Sequence, residues 1–297
     1  MTADLSVIIV NWNTRQILSR CLKSVTVNLN NLDTEIFVVD NGSTDGSVEM
    51  VSKEFPQVSL IVNQENAGFA KANNQAIRVC NGKYILLLNS DAFLTQNAIQ
   101  RMLQMMDSDS SIGIAGACLE YPNGQSQVSH GPLPDFWSEA RSLFGLDKLS
   151  KPKVYKDEYI ETGTVSGACM LVRKSLLNDI GLLDEDYFMF NEEVDLCNRC
   201  HKAGIKVIFV PSARVIHAEA GSTGQTVQRI TRLYSGKLLY FYKHFGPQAE
   251  LRLQRVMMIS ANLKGIAYRL LRIISLGRIN KDEFWRAISK ELSTTYR

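Results

Sequence analysis

Short apolar runs alternate with segments of helical periodicity along the first part of the chain. The runs that predict strands are Leu5–Val10, Glu35–Asp40, Val58–Val62, Tyr84–Leu88 and Ile112–Ala117. The intervening segments with apolar residues at helical spacing are Arg15–Leu29, Ser47–Phe55, Ala70–Cys80 and Asn97–Met106. The apolar stretches in the strands are continuous and do not alternate with polar residues, so both faces of the sheet are expected to be covered. The pattern therefore predicts an α/β fold with a mostly parallel, Rossmann-like sheet and helices on both faces.

Four successive predicted strands end on polar residues. The first ends on Asn11-Trp12-Asn13, the second on Asp40-Asn41-Gly42-Ser43 and the fourth on Asn89-Ser90-Asp91, whereas the third runs into Asn63 and then Asn66-Ala67-Gly68. A helix cap explains one polar strand end, but it explains four poorly. Ligands bind outside the carboxyl ends of the strands in open α/β sheets. These residues therefore predict a polar ligand site at that edge.

The glycine patterns that bind phosphate groups in other α/β proteins are missing. The turn after the first predicted strand reads "NWNTRQ" and contains no glycine, which excludes the G-x-G-x-x-G dinucleotide motif there. The chain also has no G-x-x-x-x-G-K-[ST] loop. A divalent cation is the usual alternative for holding phosphates, and it requires carboxylate ligands such as Asp91.

Composition and length indicate an ordinary globular protein. The 297 residues are 45% hydrophobic and 21% charged, which suits one large domain with an accessory segment. The N-terminus has neither a basic region nor a small-residue cleavage site, and no apolar run approaches the roughly 20 residues of a membrane-spanning helix. We therefore expect a cytoplasmic protein. We expect no nucleic-acid partner.

The cysteines are scattered, and most lie in apolar surroundings that are typical of reduced core thiols. One pair, in "CNRCH" at Cys197–His201, matches the C-x-x-C-H pattern of covalent haem attachment. Haem attachment of that kind belongs to exported proteins, and the segment lies within an apparent helix. Zinc would require a second pair of ligands at suitable spacing, which the sequence lacks. Neither haem nor zinc is expected.

Five motifs in order resemble the inverting family 2 glycosyltransferases, which have the GT-A fold. They read "SVIIVNWN", "VVDNGSTDGS", "NAGFAKANNQAI", "YILLLNSDA" and "FMFNEEVDLCNRCHKAG". The resemblance extends over roughly Leu5 to His217 and is closest to rhamnosyltransferases that use dTDP-rhamnose to build bacterial surface polysaccharides. It implies a catalytic domain over residues 1–225.

The resemblance implies roles for residues that bind the nucleotide sugar. Trp12 would stack on the pyrimidine base, and Asp40 would accept a hydrogen bond from N3–H of uracil or thymine, a proton that cytosine lacks. The two residues before Trp12, Val10 and Asn11, would also line the base. The residues that would border the ribose and diphosphate are Asn66, Gly68, Phe69 and Asn73. Many relatives carry arginine in place of Asn73, which weakens direct charge pairing with phosphate here.

A divalent metal ion, Mg²⁺ or Mn²⁺, is implied by the fourth motif. Asn89-Ser90-Asp91 occupies the position of the family's D-x-D motif, with Asn89 in place of the first carboxylate. Asp91 would then be the main protein ligand, and the diphosphate would supply further oxygens. His217, at the end of "VPSARVIH", matches a histidine that reaches the metal in related enzymes.

The acidic cluster at Glu192-Glu193-Val194-Asp195 contains the implied general base. The family pattern places the base at its second acid, which is Glu193 here and is usually aspartate. This departure keeps Glu192 and Asp195 open as alternatives. Like charges packed together are expected to raise one pKa in the cluster. In "TVSGACMLVRK", Thr164–Lys174 should form a strand beside the donor sugar, with Gly167 leaving room for substrate or for close strand packing.

The function implied is transfer of a sugar from a nucleotide diphosphate to a glycan or to a polyprenyl-diphosphate-linked saccharide. The sugar is expected to be L-rhamnose from dTDP-rhamnose. The alternatives are transfer of galactofuranose, galactose or N-acetylglucosamine from UDP, and a non-catalytic sugar-nucleotide-binding protein of the same fold. A nucleotidyltransferase would need a glycine-rich N-terminal loop, which is absent.

The C-terminal segment, residues 226–297, differs from the rest of the chain. From Arg229 onward it has 14 Lys and Arg against 4 Asp and Glu, a balance of +10 within a net charge of +3. Its pattern is helical and amphipathic. We expect helices that pack on the catalytic domain or on a second subunit of a homodimer, or that bind an anionic membrane surface peripherally at the inner face of the cell membrane.

Overall fold

A computed structural model describes residues 3–146, 158–219, 226–274 and 281–294. These residues fall into two compact units. The first contains the sheet and its covering helices. The second contains one helix from the middle of the chain together with the C-terminal helices. The predicted domain boundary after residue 225 falls at the end of a segment outside the described residues, so it stays a prediction.

The strands of the first unit form one large sheet and one small sheet. The strands are β1 (Leu5–Asn11), β2 (Thr34–Asp40), β3 (Ser59–Val62), β4 (Tyr84–Asn89), β5 (Ala92–Leu94), β6 (Ile112–Glu120), β7 (His130–Gly131), β8 (Ile160–Glu161), β9 (Thr164–Val165), β10 (Cys169–Arg173) and β11 (Lys206–His217). The large sheet has the order β3-β2-β1-β4-β10-β6-β11-β5, with β8 paired to β11, and β7 pairs with β9. Neighbours are parallel except at β10, β5 and β8. The mostly parallel α/β fold predicted from the sequence is confirmed.

Helices follow the strands in the order that the periodicity predicts. In the first unit they are α1 (Arg15–Asn28), α2 (Ser47–Glu54), α3 (Phe69–Ile77), α4 (Ala98–Ser108), α6 (Lys174–Ile180) and α7 (Glu192–Lys202). In the second unit they are α5 (Phe136–Leu143), α8 (Val227–Phe245), α9 (Pro247–Ile274) and α10 (Asp282–Thr294). Within the described ranges, no helix is long and apolar enough to span a membrane.

Both faces of the large sheet are buried, as continuous apolar strands require. In β1, Val7 and Ile9 pack into one core with α1, α2 and α4, whereas Ile8 packs into a second core with α3, α6 and α7. All three side chains are fully buried. Since successive side chains of a strand point to opposite faces, one apolar run supplies both cores. The two cores hold the carboxyl ends of the parallel strands in fixed positions.

The segment predicted as one strand over Thr164–Lys174 is broken into two. β9 ends at Val165, and β10 begins at Cys169 and lies antiparallel between β4 and β6. At the break, the backbone N–H of Ser166 donates to the carbonyl oxygen of Ser129. The backbone N–H of Asn89 donates to the carbonyl oxygen of Ala168. Gly167 therefore lies in an irregular connection beside the end of β4, where the polar strand ends collect.

Buried and paired polar groups hold the second unit together. Lys237 of α8 forms an ion pair with Glu139 of α5. In α9, Lys264 lies 4.4 Å above the ring of Trp285, and Arg272 lies 3.3 Å from the fully buried carboxylate of Asp282. These two basic side chains of α9 are therefore occupied by packing against α10.

Candidate active site

The register of the parallel strands brings their polar ends together. Asn11 at the end of β1 is paired with Asp40 at the end of β2, and Val10 is paired with Asn89 at the end of β4. The chain leaves all three strands at the same edge of the sheet. The polar positions singled out by the sequence thus lie at one site, although they are distant along the chain.

Asp40 is almost fully buried and is held by two hydrogen bonds. Asn11 Nδ2 donates to one carboxylate oxygen over 2.7 Å, and the backbone N–H of Ser43 donates to the other over 2.8 Å. These bonds offset part of the cost of burying a carboxylate and fix its orientation. Trp12, the next residue after β1, is about half exposed (51%), so its ring is accessible at this edge.

A network of side-chain amides connects β2 to the start of α3; the sequence placed these amides at strand ends but did not predict their hydrogen bonds to one another. Asn41 donates to the carbonyl of Gly68 over 3.1 Å and accepts from Asn63 over 2.9 Å. Asn66 accepts from the backbone N–H of Gly68 over 3.0 Å. The loop before α3 is therefore held by hydrogen bonds to its own polar residues.

Gly68 is required for close backbone contact. It has φ of +86°, and a Cβ atom at this position would lie 2.6 Å from the carbonyl oxygen of Phe188. That carbonyl accepts a hydrogen bond from Phe69 N–H over 2.7 Å, which fastens the loop before α7 to α3.

One helical turn after Phe69, the side chain of Asn73 is buried, and its Oδ1 has no hydrogen-bond partner among the described residues. A buried acceptor of this kind suits a ligand that brings its own donor.

Asp91 and His217 converge from different parts of the chain. Asp91 lies in the turn that follows Asn89, the last residue of β4, and His217 is the last residue of β11. His217 Nε2 lies 3.2 Å from Asp91 Oδ1 and 3.5 Å from Asn89 Nδ2. Both side chains are largely buried. Within the described residues, no group of three or more His, Cys, Asp or Glu side chains could hold a metal ion. Asp91 and His217 could therefore supply at most two side-chain ligands of these types among the described residues.

Glu192 and Glu193 begin α7 and interact with each other. Burial raises the pKa of the Glu192 carboxyl well above its ordinary value, and the negative charge of Glu193 adds to the increase. Burial also raises the pKa of Glu193, while hydrogen bonds that include one from Glu192 oppose the increase. Both carboxyls therefore bind a proton more readily than an exposed glutamate does, and they titrate as an interacting pair. Each carboxyl has one oxygen without a hydrogen-bond partner in the described part of the chain.

Asp195, the third acid, has a structural partner. Its carboxylate lies 2.8 Å from Nε of Arg199, one helical turn later, and both side chains are largely buried. Arg199 also donates to backbone carbonyls in the loop that precedes α7, including that of Leu182 over 2.8 Å. Asp195 is thereby committed to neutralising Arg199. Of the three candidate acids, Glu193 is partly exposed, whereas Glu192 and Asp195 are buried.

The turn before α7 has an unusual backbone. Phe190 and Asn191 have φ of 73° and 71°, in the left-handed region that residues other than glycine seldom adopt. Such conformations cost on the order of 1–3 kcal/mol each and collect at functional sites. Here the strained pair directly precedes the two glutamates, so the surrounding packing is strong enough to hold them in this position.

Gly167 lies against the side chain of Glu193. A Cβ atom at Gly167 would lie 3.4 Å from Glu193 Cβ and 3.9 Å from its carboxyl carbon. The connection between β9 and β10 therefore reaches both the end of β4 and the start of α7. A side chain at Gly167 would reduce the space beside the carboxylate.

Comparison with known proteins finds relatives of this chain among glycosyltransferases. An N-acetylglucosaminyl-diphospho-decaprenol L-rhamnosyltransferase of Mycobacterium tuberculosis is 29% identical over 244 residues, which cover 76% of this chain and 79% of that protein. A low-salt glycan biosynthesis hexosyltransferase of Haloferax volcanii is 26% identical over 214 residues, which cover 70% of this chain and 64% of that protein.

Among solved structures, a mannosyltransferase of Pyrobaculum calidifontis in complex with GDP-Man and Mn²⁺ superposes with a TM-score of 0.59 at 16% identity. The match covers 99% of this chain and 86% of that one. The GT-A fold implied by the sequence motifs is confirmed. The family model for glycosyl transferase family 2 matches residues 6–181. Because this match covers more than half of the 297 residues, the chain belongs to glycosyl transferase family 2.

Proposed function

We propose that this glycosyltransferase is an inverting, divalent-metal-dependent enzyme. It transfers L-rhamnose from dTDP-rhamnose to a saccharide carried on a polyprenyl diphosphate. The observation that carries the proposal is the convergence of Asp91 and His217, with 3.2 Å between their ligating atoms, at the edge that also carries Asp40. The L-rhamnosyltransferase relative supports the choice of sugar and of a lipid-linked acceptor.

The residues present suit a hard divalent ion, Mg²⁺ or Mn²⁺. Asp91 would provide an oxygen ligand and His217 a nitrogen ligand. A two-ligand site leaves coordination positions for diphosphate oxygens and water, as magnesium and manganese sites at phosphates usually have. When bound, the ion would supply positive charge that stabilises the leaving nucleoside diphosphate. The mannosyltransferase neighbour was crystallised with Mn²⁺, which is consistent with this requirement.

Glu193 acts as the general base in a single displacement. The acceptor oxygen forms a bond to the anomeric carbon while the bond from that carbon to the diphosphate oxygen breaks, and the configuration inverts. The hydroxyl proton passes to the Glu193 carboxylate. Its raised pKa increases its basicity once it is ionised. Gly167 leaves space beside the carboxylate.

The test of the donor uses purified enzyme, Mn²⁺ and a panel of nucleotide sugars without acceptor. Slow hydrolysis and thermal stabilisation should be greatest with dTDP-rhamnose. Stronger effects with UDP-galactose, UDP-galactofuranose or UDP-N-acetylglucosamine would change the assigned sugar and retain the transferase. Binding without hydrolysis of any donor, and without transfer to a lipid-linked N-acetylglucosamine acceptor, would favour a non-catalytic binding protein.

Asp40 is proposed to read the nucleobase, and Asn11, Val10 and Trp12 to surround it. We expect Asp40→Asn to weaken dTDP and UDP binding by roughly 10–100-fold, because a hydrogen bond to a charged group contributes about 1.5–3 kcal/mol. Calorimetry with UDP and CDP measures the effect. The wild-type protein should prefer UDP, since CDP lacks N3–H, and the variant should lose most of that preference. An unchanged preference would assign base recognition to another residue.

The exposed face of α9 is proposed to bind an anionic membrane surface. One stripe of this helix has five aliphatic side chains that are each more than half exposed: Ile259, Leu263, Ile266, Leu270 and Ile273. Arg252, Arg255 and Arg269 are exposed at positions that helical spacing places beside this stripe. Apolar residues flanked by arginines are typical of helices that lie in the interface of an anionic bilayer.

The proposed membrane binding by α9 gives a separate prediction. Changing Arg252, Arg255 and Arg269 to glutamine should weaken binding to anionic vesicles by roughly 10²-fold, at about 1 kcal/mol for each basic residue near the surface. Lys264 and Arg272 stay unchanged, because they pack against α10. Sedimentation with anionic and neutral vesicles is the measurement. Glutamine at the exposed Lys23, Lys53 and Lys202 is the matched control.

Two outcomes of that experiment oppose a membrane role. Equal sedimentation with both vesicle types, or none with either, would contradict it. If light scattering shows that the wild-type protein is a dimer and that Ile266→Ser is a monomer, then a second copy covers the α9 stripe instead.

A further inference from the structure

Gln127 is placed beside His217 by the turn that follows β6. Tyr121 N–H donates to the carbonyl of Gln125 over 2.7 Å, which reverses the chain, and Gln127 N–H then donates back to Leu119 of β6 over 2.8 Å. Leu119 is paired in register with Val215 of β11, two residues before His217. The backbone of Gln127 is thus anchored to the strand next to the one that ends on His217.

The Gln127 side chain makes two hydrogen bonds to the same histidine. Its Nε2 donates to the backbone carbonyl of His217 over 2.7 Å, and its Oε1 lies 2.8 Å from Nδ1 of the His217 ring. A carbonyl oxygen only accepts hydrogen bonds, so the first contact fixes which end of the amide is the NH₂ group. The oxygen then faces Nδ1, and Nδ1 must carry the proton.

This protonation has a consequence at the opposite side of the ring. A neutral imidazole with its proton on Nδ1 has a lone pair on Nε2. In that neutral tautomer Nε2 and Asp91 Oδ1, which lie 3.2 Å apart, are both acceptors. A cation bound between them would use both lone pairs. Ligating histidines usually donate their other ring N–H to a neighbouring acceptor, which fixes their tautomer and orientation.

We propose that Gln127 is a positioning residue that holds His217 as the Nδ1–H tautomer and directs Nε2 toward a divalent cation shared with Asp91. This inference rests on the metal dependence proposed above. Gln127 itself does not touch the cation, the donor or the acceptor. Its effect is exerted through the orientation and protonation of one ring.

Two variants separate this role from general packing. Gln127→Leu removes both hydrogen bonds, and Mn²⁺ affinity in the presence of UDP should fall by about 10–100-fold, as is usual for partners of metal ligands. Gln127→Glu loses the donor to the His217 carbonyl but keeps an acceptor for Nδ1–H, so it should restore most of the affinity. Exposed Gln125, in the same turn, provides the control Gln125→Leu. Electron paramagnetic resonance of free Mn²⁺ gives the dissociation constants.

The tautomer is measured directly by ¹⁵N NMR of histidine-labelled protein without metal. The chain has only 4 histidines, so His217→Gln assigns the signal of interest. The expected result is an Nδ1–H ring in the wild type and in Gln127→Glu, and a loss of that preference in Gln127→Leu. An Nε2–H ring in the wild type overturns the inference.

The binding results also distinguish the two proposals. Wild-type affinity in Gln127→Leu, or equal losses in Gln127→Leu and Gln127→Glu, removes the role of Gln127 and leaves the metal site standing. No Mn²⁺ binding by the wild type with UDP overturns the metal dependence itself, and the positioning role fails with it.

Discussion

Replacing Glu193 by glutamine is expected to lower kcat by about 10²–10⁴-fold, the usual contribution of a general base. Glutamine preserves the size of the side chain and its fit against Gly167, but it cannot accept the acceptor's proton. Donor affinity should stay near the wild-type value, because the proposed donor-binding residues are unchanged. Steady-state kinetics gives kcat, and calorimetry with dTDP and Mn²⁺ gives the affinity.

The pH dependence provides a second readout of the same variant. Burial raises the pKa of Glu193 above its ordinary value of about 4.3. Since the base must be ionised, wild-type kcat/KM should fall on acidification from a pH above that value. Two interacting carboxyls share this titration, so the observed pKa belongs to the Glu192–Glu193 pair. The acidic fall should disappear in Glu193→Gln.

A matched control is Glu54→Gln, the same chemical change at an exposed position at the end of α2. It should leave kcat and its pH profile unchanged. If Glu193→Gln retains full turnover, the base is elsewhere, and Glu192 becomes the first candidate because Asp195 is paired with Arg199.

The sheet could be predicted because the strands of its parallel part are buried on both faces. A run such as Tyr84–Leu88 has no alternation, and its abrupt polar end at Asn89 marks the point at which the chain leaves the core. These are local properties that one sequence displays. The same reasoning placed the strand ends at a common edge, since parallel strands all deliver their carboxyl ends there.

Strand partners were not predictable in the same way. β10 lies antiparallel between β4 and β6, which brings Ala168 to Asn89 and Gly167 to Glu193. Periodicity identifies a strand but carries no information about its neighbours. The break at Ser166–Ala168 was missed for a related reason, because its hydrogen bonds go to residues distant in the sequence. Helix α10, Asp282–Thr294, lies within the segment predicted to be helical, but its bounds were not predicted.

In the candidate site, too, some residues could be found from short motifs, whereas others could be found only from contacts with residues distant in the sequence. Asp91, His217 and Glu193 were identifiable from motifs that extend over a few residues. Gln127 belongs to no motif and lies in a loop of mostly exposed polar residues. Its significance comes from contacts with His217, 90 residues later in the chain. A polar loop residue of this kind becomes recognisable only when the structure shows both of its hydrogen bonds.

Asp91→Ala is expected to abolish the dependence of nucleotide binding on a divalent ion. Asp91 would be one of two protein ligands, so its removal should cost more than the roughly 10–100-fold loss in metal affinity that changes to outer-shell partners cause. His217 alone would hold the ion weakly, and the diphosphate would lose the charge that links it to the protein. Calorimetry of dTDP with Mn²⁺ and with a chelator measures this effect.

The contribution of Asp91 can be separated from damage to the fold. Asp91 lies between β4 and β5, and its side chain is largely buried, so thermal unfolding of the variant must be compared with that of the wild type. Asp179→Ala, at an exposed position on α6, provides the matched control and should retain metal-dependent binding. Asp91→Asn keeps the size and one oxygen but loses the charge, so an intermediate affinity for Mn²⁺ would show that the carboxylate charge holds the ion.

If the wild type binds dTDP equally well with and without chelator, the ion has no role in donor binding. The positive charge for the leaving diphosphate must then come from the protein itself.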